Sequence, residues 1–497
     1  MTWPLLSRLR TSTWVFASLC SILLFACSES SSSTGGVDAP GGVDAPGGEL
    51  LALACSDVLG SVYEGQAPPG NWSAAMRGDV TRCVFERVVP IEEMEEAFTV
   101  QESFIDPGLS TPVFKYRIQY WTERNEGEPV LTSASLYIPE TRRADPAPLV
   151  VLGHGSVGIA DQCAPSLEDS GGFNKDWRVL VYSYAADGWI TIMPDNPGLG
   201  TPGTTAWLYS VDEGHAVLDA TRAARKLFKS DALTDKNALI GLSSGGHAVL
   251  SAHALAAEYG FEGSLDTVVA LSPIWLSAGI WGTLVSDAGA LFINSTLMSV
   301  TMQYFVGHLA VYEGEESTGD AFVPEKREQA LEMLEAGCWS QVTGEEQGPP
   351  SIGVELGSDL FTPEYVTEVG TCGLSDLCRT PLAEIWRERW VNDRPAPDQN
   401  IPIIHWTGAL DDFIPPGFQQ CGLDRLEAQG GEVTACVELQ SDHSGIVPRS
   451  AEWIRQHLEE VLLGGEAPAP CESLASWDPG LECGIPILPN SVDPSDP

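Results

Sequence analysis

Residues 237–252 read NALIGLSSGGHAVLSA. The run 237–240 is apolar and short, as a buried strand is, and it enters Gly241-Leu242-Ser243-Ser244-Gly245. That string is the one G-x-S-x-G in the chain. Residues 247–259 (HAVLSAHALAAEY) follow as a helix of small residues. With fifty glycines in the sequence, chance alone supplies about a third of such a match. The setting gives the string its weight. A strand that turns sharply into a helix holds the serine outward, and the flanking glycines remove Cβ atoms that would block the turn. The helix N-terminus then faces the negative charge that develops when the serine attacks a carbonyl. Ser243 is the candidate nucleophile.

A serine hydroxyl needs a base to take its proton, and the base needs an acid to hold it. On this kind of turn the expected chain order is Ser, acid, His. The histidines are His154, His215, His247, His253, His308, His405, His443 and His457. His443 and His457 follow the last acid candidate. His457 sits mid-helix among Arg455, Glu459 and Glu460 and reads as a solvated side chain. His443 lies in SDHSG (441–445), between the last strand and the last helix, and is the candidate base. The acid is expected just past the strand at 401–406, in GALDDFIPP (408–416). Asp411 is the first choice there and Asp412 the alternative. An oxyanion needs two backbone N–H donors. One is expected from Ser244, and the other from Gly155 or Ser156 in GHGSVG (153–158). His154 reads as a brace for that loop.

Further strands are expected at 113–122, 129–139, 148–152, 190–194, 267–271 and 433–439, and further helices at 214–228 and 451–463. Strands alternating with helices imply a mostly parallel sheet covered on both faces. The stretch 274–399 is too long for a loop. It holds an apolar run (LFINSTLMSVTMQYFVGHL, 291–309) and a helical one (EKREQALEMLEA, 325–336), and it reads as a cap inserted over the end of the sheet. Its Trp275, Trp281, Leu291, Phe292, Met298, Met302 and Phe305 suit either an acyl-chain site or plain cap core. The core is thus expected over 49–273 and 400–463, with a Pro/Gly-rich tail over 464–497.

The N-terminus reads as a targeting segment, residues 1–26. Arg8 and Arg10 precede an apolar stretch too short for a transmembrane helix. The stretch ends Leu24-Phe25-Ala26-Cys27, which resembles a bacterial lipobox, so Cys27 is the expected lipidation site. Ser28 in place of Asp resembles outer-membrane sorting. Residues 27–48, with GGVDAP twice, form a flexible tether. The expected location is outside the cytoplasm: anchored to the outer membrane through the lipid, on its periplasmic or cell-surface side, or secreted.

The chain has 497 residues, 26 Lys plus Arg and 69 Asp plus Glu, a formal charge of −43. Removing residues 1–26 takes away two arginines and no acid, so the mature charge is −45. A surface this acidic repels phosphate backbones, so nucleic acid is not an expected partner. Of twelve cysteines, Cys20 leaves with the signal and Cys27 takes lipid. The other ten fit disulfides in an exported protein, with Cys372–Cys378, Cys421–Cys436 and Cys471–Cys483 as short-range pairings. No cysteine or histidine spacing fits zinc.

Five stretches resemble the α/β-hydrolase superfamily, and within it the secretory-lipase-like bacterial and fungal esterases. They are GHGSVGIADQCAPS (153–166), PDNPGLGTPGTTAWL (194–208), GLSSGGHAVLSA (241–252), GALDDFIPP (408–416) and SDHSGIVPRSAEW (441–453). The resemblance spans about 113–463. It implies an α/β-hydrolase fold, with Ser243, Asp411 and His443 as the triad and an oxyanion hole at the HG-containing loop and Ser244. It implies hydrolysis of carboxylic esters through an acyl-enzyme, with no metal or organic cofactor. The PGLGTPG stretch is typical of the group and is expected to shape the site entrance. The cap carries none of these stretches, so the resemblance implies no substrate preference there, and the lipobox anchor departs from the freely secreted members. The other readings are an exported amidase or peptidase of the same fold, against which no propeller domain is present in 49–112, and a binding module on an inactive scaffold.

Overall fold

The apolar runs around 148–152 and 190–194 have no polar face, which suits strands covered on both sides. The structure, a computed structural model, describes residues 46–473 except 101–107, 168–175, 276–277, 289–294, 340–351, 355, 376, 394–395 and 398–399. The targeting segment, Cys27, the tether up to residue 45, Leu291, Phe292, Cys483 and the tail from 474 lie outside the described residues.

Among the described residues nine strands form one sheet: β1 (Val80–Val89), β2 (Val113–Glu123), β3 (Pro129–Pro139), β4 (Ala147–Gly153), β5 (Ile190–Pro194), β6 (Leu233–Leu242), β7 (Ser264–Leu271), β8 (Ile403–Gly408) and β9 (Val433–Glu438). Their order is β1-β2-β3-β5-β4-β6-β7-β8-β9. The first three pair antiparallel, β3 pairs antiparallel with β5, and every pair from β5 to β9 is parallel. Alternate residues of each central strand serve two different cores. Val150 and Leu152 of β4 join Ile240, Val269, Leu271 and Ile404 on one face. Leu149 and Val151 join Leu239, Val268, Ala270 and Ile403 on the other. The period-2 geometry of a strand makes this split.

Helices cover both faces. α1 (Ile91–Val100) and α2 (Asp176–Ala185) lie over the first core together with the C-terminal helix. α3 (Ser210–Leu227) and α4 (Ser244–Tyr259) lie over the second. α3 carries Asp212 and Glu213 in its first turn and Arg225 and Lys226 in its last, which complements the helix dipole. This is the mostly parallel, doubly covered sheet expected from the strand–helix alternation. β1, α1 and α2 were not among the expected elements.

Between β7 and β8 the chain is helical: α5 (Ala278–Val285), α6 (Ser295–Glu313), α7 (Pro324–Ala336) and α8 (Pro381–Asn392), with shorter turns between. This segment has its own core. Trp281, Met298, Met302, Phe305, Phe361 and Trp386 pack together in it. Of the seven residues for which an acyl site and plain core were weighed, Trp281, Met298, Met302 and Phe305 are core, while Trp275 packs against the sheet's second core.

A buried polar network joins this segment to the α/β layer. His247 Nδ1 donates to Glu213 Oε2 at 2.7 Å, and its Nε2 donates to the Asp393 carbonyl at 2.9 Å. Asp393 Oδ2 lies 2.8 Å from His308 Nε2 and accepts from the Tyr304 hydroxyl at 2.9 Å. Its other oxygen accepts from the Ser210 N–H at the start of α3. Burial pulls the His247 pKa down, but the Glu213 carboxylate beside it outweighs that and the net shift is upward. Burial raises Asp393 to about 7 and, helped by the Arg389 charge, holds His308 well below its ordinary value. The bonding fits. His308 Nδ1 faces the Tyr304 carbonyl at 3.0 Å, so it carries the proton. A neutral His308 then has a bare Nε2, and a protonated Asp393 donates to it.

Four disulfides connect described residues: Cys55–Cys83, Cys163–Cys338, Cys372–Cys378 and Cys436–Cys471. Cys372–Cys378 is the pairing expected. Cys421–Cys436 and Cys471–Cys483 are not, because Cys436 pairs with Cys471. That bond lays the tail against β9, where the Val437 N–H donates to the Glu472 carbonyl at 2.8 Å. Spacing does not reveal such a return. Cys163–Cys338 closes 175 residues and ties the helical segment to the loop after β4.

Candidate active site

Ser243 stands between β6 and α4 with φ 58° and ψ −120°, a strained conformation for a residue with a Cβ. Backbone bonds hold it there. Its N–H donates to the Leu271 carbonyl at 2.9 Å, and its own carbonyl accepts from Ile274 at 3.2 Å and His247 at 3.1 Å. The turn is too tight for side chains. A Cβ on Gly241 would sit 2.0 Å from the Gly245 carbonyl oxygen, and one on Gly245 would sit 2.0 Å from the Gly153 oxygen. The two glycines of the motif thus let the start of α4 close on the end of β4.

β6, β8 and β9 run parallel, so their C-terminal ends share one edge of the sheet. Asp411 follows β8 and His443 follows β9. His443 Nδ1 lies 2.8 Å from Asp411 Oδ2. The other Asp411 oxygen accepts from the backbone N–H of Phe413 at 3.0 Å and Ile414 at 2.8 Å. Asp411 is buried, and Asp412 is exposed. The structure therefore brings His443 to Asp411, the first choice, rather than to Asp412. Among the described residues no hydrogen bond joins the Ser243 hydroxyl to His443. Such bonds are often long before substrate binds.

The loop after β4 lies beside the serine. A Cβ on Gly155 would meet the Ser243 Cβ at 3.8 Å. Ser156 Oγ donates to Ser244 Oγ at 3.2 Å, which donates to the His154 carbonyl. Ser244 opens α4, so its N–H has no intrahelical acceptor. His154 Nδ1 bonds the Gly155 carbonyl at 2.7 Å, in keeping with a brace. His457 is a correction. It is buried, not solvated, with Nε2 3.0 Å from Thr267 Oγ1, and burial lowers its pKa. It shares the inward face of its helix with Ile454 and Ala451.

Three aromatic residues absent from the expected site surround it. The Trp207 indole N–H donates to Ser156 Oγ at 3.1 Å. Ring centroids then run Trp207–Trp339 6.2 Å, Trp339–Phe413 5.8 Å and Phe413–His443 5.1 Å. Trp207 ends the PGLGTPG loop, which is pinned by Asp195 through the Ser133 hydroxyl and the Ser166 N–H. Leu208, at φ 59°, gives its N–H to Glu213 at 2.8 Å. No group of three His, Cys, Asp or Glu side chains is arranged as metal ligands among the described residues.

The secretory lipase family model matches residues 176–274, the stretch from α2 through the Ser243 turn. No curated protein matches the chain. Solved structures do. Lipase A of Candida antarctica in its closed state is similar at 18% identity over 80% of this chain and 84% of its own, with a TM-score of 0.55. The ligand-bound rice cell wall degrading esterase of Xanthomonas oryzae is similar at 17% identity over 78% and 100%, with a TM-score of 0.58. The chain is therefore an α/β-hydrolase by fold, and over residues 176–274 it matches the pattern of the secretory lipases.

Proposed function

We propose that this protein is a serine hydrolase that cleaves carboxylic esters. The observation that carries the reading is the strained Ser243 on the sheet edge that also bears the 2.8 Å Asp411–His443 pair. In this reading His443 Nε2 takes the proton of Ser243 as its hydroxyl attacks the ester carbonyl. Asp411 holds the Nδ1–H tautomer and stabilises the imidazolium. The N–H of Ser244 and one from Gly155 or Ser156 receive the oxyanion. His443 then protonates the leaving alcohol, and water, activated by the same imidazole, releases the acid from Ser243. The helical segment 274–399 acts as a cap, and the body spans 49–273 and 400–463. The family match and the two similar esterases support ester over amide substrates.

The test uses the purified exported protein on p-nitrophenyl esters from acetate to palmitate, with aminoacyl naphthylamides alongside. Ester cleavage with labelling by a fluorophosphonate supports the reading. Amide cleavage alone, or a folded protein that neither cleaves nor labels, sinks it. Asp412 is exposed and serves as a control. Asp412→Asn is expected to keep kcat/KM within about twofold, as surface changes do. A large loss would move the acid role away from Asp411.

The lipobox at 24–27 supports anchoring of the mature chain through Cys27, and the disulfides support an oxidising compartment. Cys27→Ala is expected to abolish labelling by radioactive palmitate in growing cells. Undiminished labelling would count against the anchor.

A further inference from the structure

The ring system at the site comes from three separated stretches of chain, and its centre belongs to the helical segment. Trp339 packs between Trp207 on one side and Phe413 on the other. The outer ends of this arch touch the chemistry. Trp207 donates to Ser156 in the loop that supplies the proposed oxyanion donor, and Phe413 lies against His443. A substrate carbonyl at Ser243 must sit between that loop and His443. Trp339 stands between those two flanks, at the middle of the arch.

Trp339 is fixed to the same loop in three ways. Its N–H donates to the Val157 carbonyl at 2.8 Å. The neighbouring Cys338 is bonded to Cys163. Gly158, at φ 103°, lets the strands of chain close so far that a Cβ there would lie 3.2 Å from both Cys338 Cα and Trp339 N. Oxyanion loop and indole therefore move as one body. Trp339 is 4% exposed and Trp207 7%, whereas Phe413 is 36% exposed. The arch is closed at its tryptophan end and open only near His443.

We propose that Trp339 is the specificity-determining wall of the ester site, held by the Cys163–Cys338 strap, and that it restricts the site to short acyl groups. The inference rests on the ester-hydrolase reading above. Two indoles, both buried beside the loop that carries the proposed oxyanion donor, would stand in the way of a long acyl chain.

The experiment measures kcat/KM of the purified exported protein on p-nitrophenyl acetate, butyrate, octanoate and palmitate. Variants are Trp339→Ala, Trp339→Phe and the double substitution Cys163→Ser with Cys338→Ser, with Trp339→Leu if the alanine variant does not fold. The wild type is expected to prefer acetate or butyrate. Trp339→Ala is expected to raise the octanoate-to-acetate ratio about tenfold or more, the scale on which pocket methylenes discriminate. Trp339→Phe keeps a ring and is expected to move the ratio less. The double serine variant frees the strap and is expected to shift it in the same direction as alanine. An unchanged ratio in both the alanine and double serine variants, with acetate still cleaved, overturns this inference and leaves the hydrolase reading standing. So does a wild-type preference for palmitate, or a folded Trp339→Ala that has lost all activity, because a wall sets the ratio and not the chemical step. A wild type inert on every ester overturns the hydrolase reading and this inference with it.

Discussion

Ser243→Ala is expected to lower kcat for p-nitrophenyl esters by about a millionfold while leaving the melting temperature unchanged. The size follows from what a triad does as a unit. Without the nucleophile, the base and acid have nothing to activate, and the loss equals that of the whole constellation. A residual rate about a thousandfold above water is expected, because the oxyanion donors and the binding surface remain. The unchanged stability follows from the structure. The turn is held by backbone bonds to Leu271, Ile274 and His247 and by the close contact of Gly241, Gly245 and Gly153, none of which involves the serine hydroxyl. Alanine meets the same φ of 58° as serine does. Asp411→Asn is the companion measurement. It keeps the contact to His443 but favours the wrong imidazole tautomer, for which a loss of about ten thousandfold is expected. If Ser243→Ala retains ester cleavage above a tenth of wild type, the nucleophile lies elsewhere, and the strained turn has only a structural use.

The parts of this site that are local in sequence were legible there. A strand, a glycine-flanked serine and a small-residue helix form one continuous motif, and each glycine has a steric reason within a few residues. The chain order Ser243, Asp411, His443 is the one expected on such a turn, and the parallel β6, β8 and β9 bring the ends that carry them to one edge of the sheet. Asp411 was already the first choice there, but that His443 contacts it and not Asp412 is read only from coordinates, where Asp411 is buried and Asp412 exposed. What stayed hidden was long-range. Trp207, Trp339 and Phe413 meet from three stretches of chain, and nothing in the spacing of Cys163 and Cys338 announces that they bond. β1, with Arg82, Glu86 and Arg87 among its apolar residues, does not alternate cleanly and was not read as a strand. His457 was read as solvated because its neighbours in sequence are charged, whereas its helical neighbours Ala451 and Ile454 face the core.

The polar residues that lock the helical segment to the α/β layer were equally invisible, and they carry the second large expectation. Nothing in their spacing links Glu213, His247, His308 and Asp393, yet the four side chains are buried together. Asp393→Ala would leave His308 Nε2, the Tyr304 hydroxyl and the Ser210 N–H facing a void. Orphaned buried polar groups cost about 1–3 kcal/mol each, so a loss of about 3–5 kcal/mol is expected, seen as a lower melting temperature. Asp393→Asn behaves differently, because one N–H of its NH2 can donate to His308 as the protonated acid does and the other can face the Tyr304 oxygen, while its carbonyl oxygen still accepts from the Ser210 N–H. The sign of the pH effect separates the two carboxyl states. Burial raises the folded-state pKa from 3.8 to about 7, so between those values the folded protein keeps a proton that the unfolded chain releases. The stabilisation from that proton is complete below pH 4 and is lost as pH rises through 7, at about 1.4 kcal/mol per pH unit. Asparagine has no such proton to lose. Melting curves of wild type and Asp393→Asn are therefore expected to converge or cross on going from pH 4 to pH 8, with the variant gaining. Buried histidines away from Asp393, such as His405, titrate in both proteins and cancel in the difference. Parallel curves would mean that Asp393 is already ionised in the folded state, and that the proton between it and His308 sits on the imidazole.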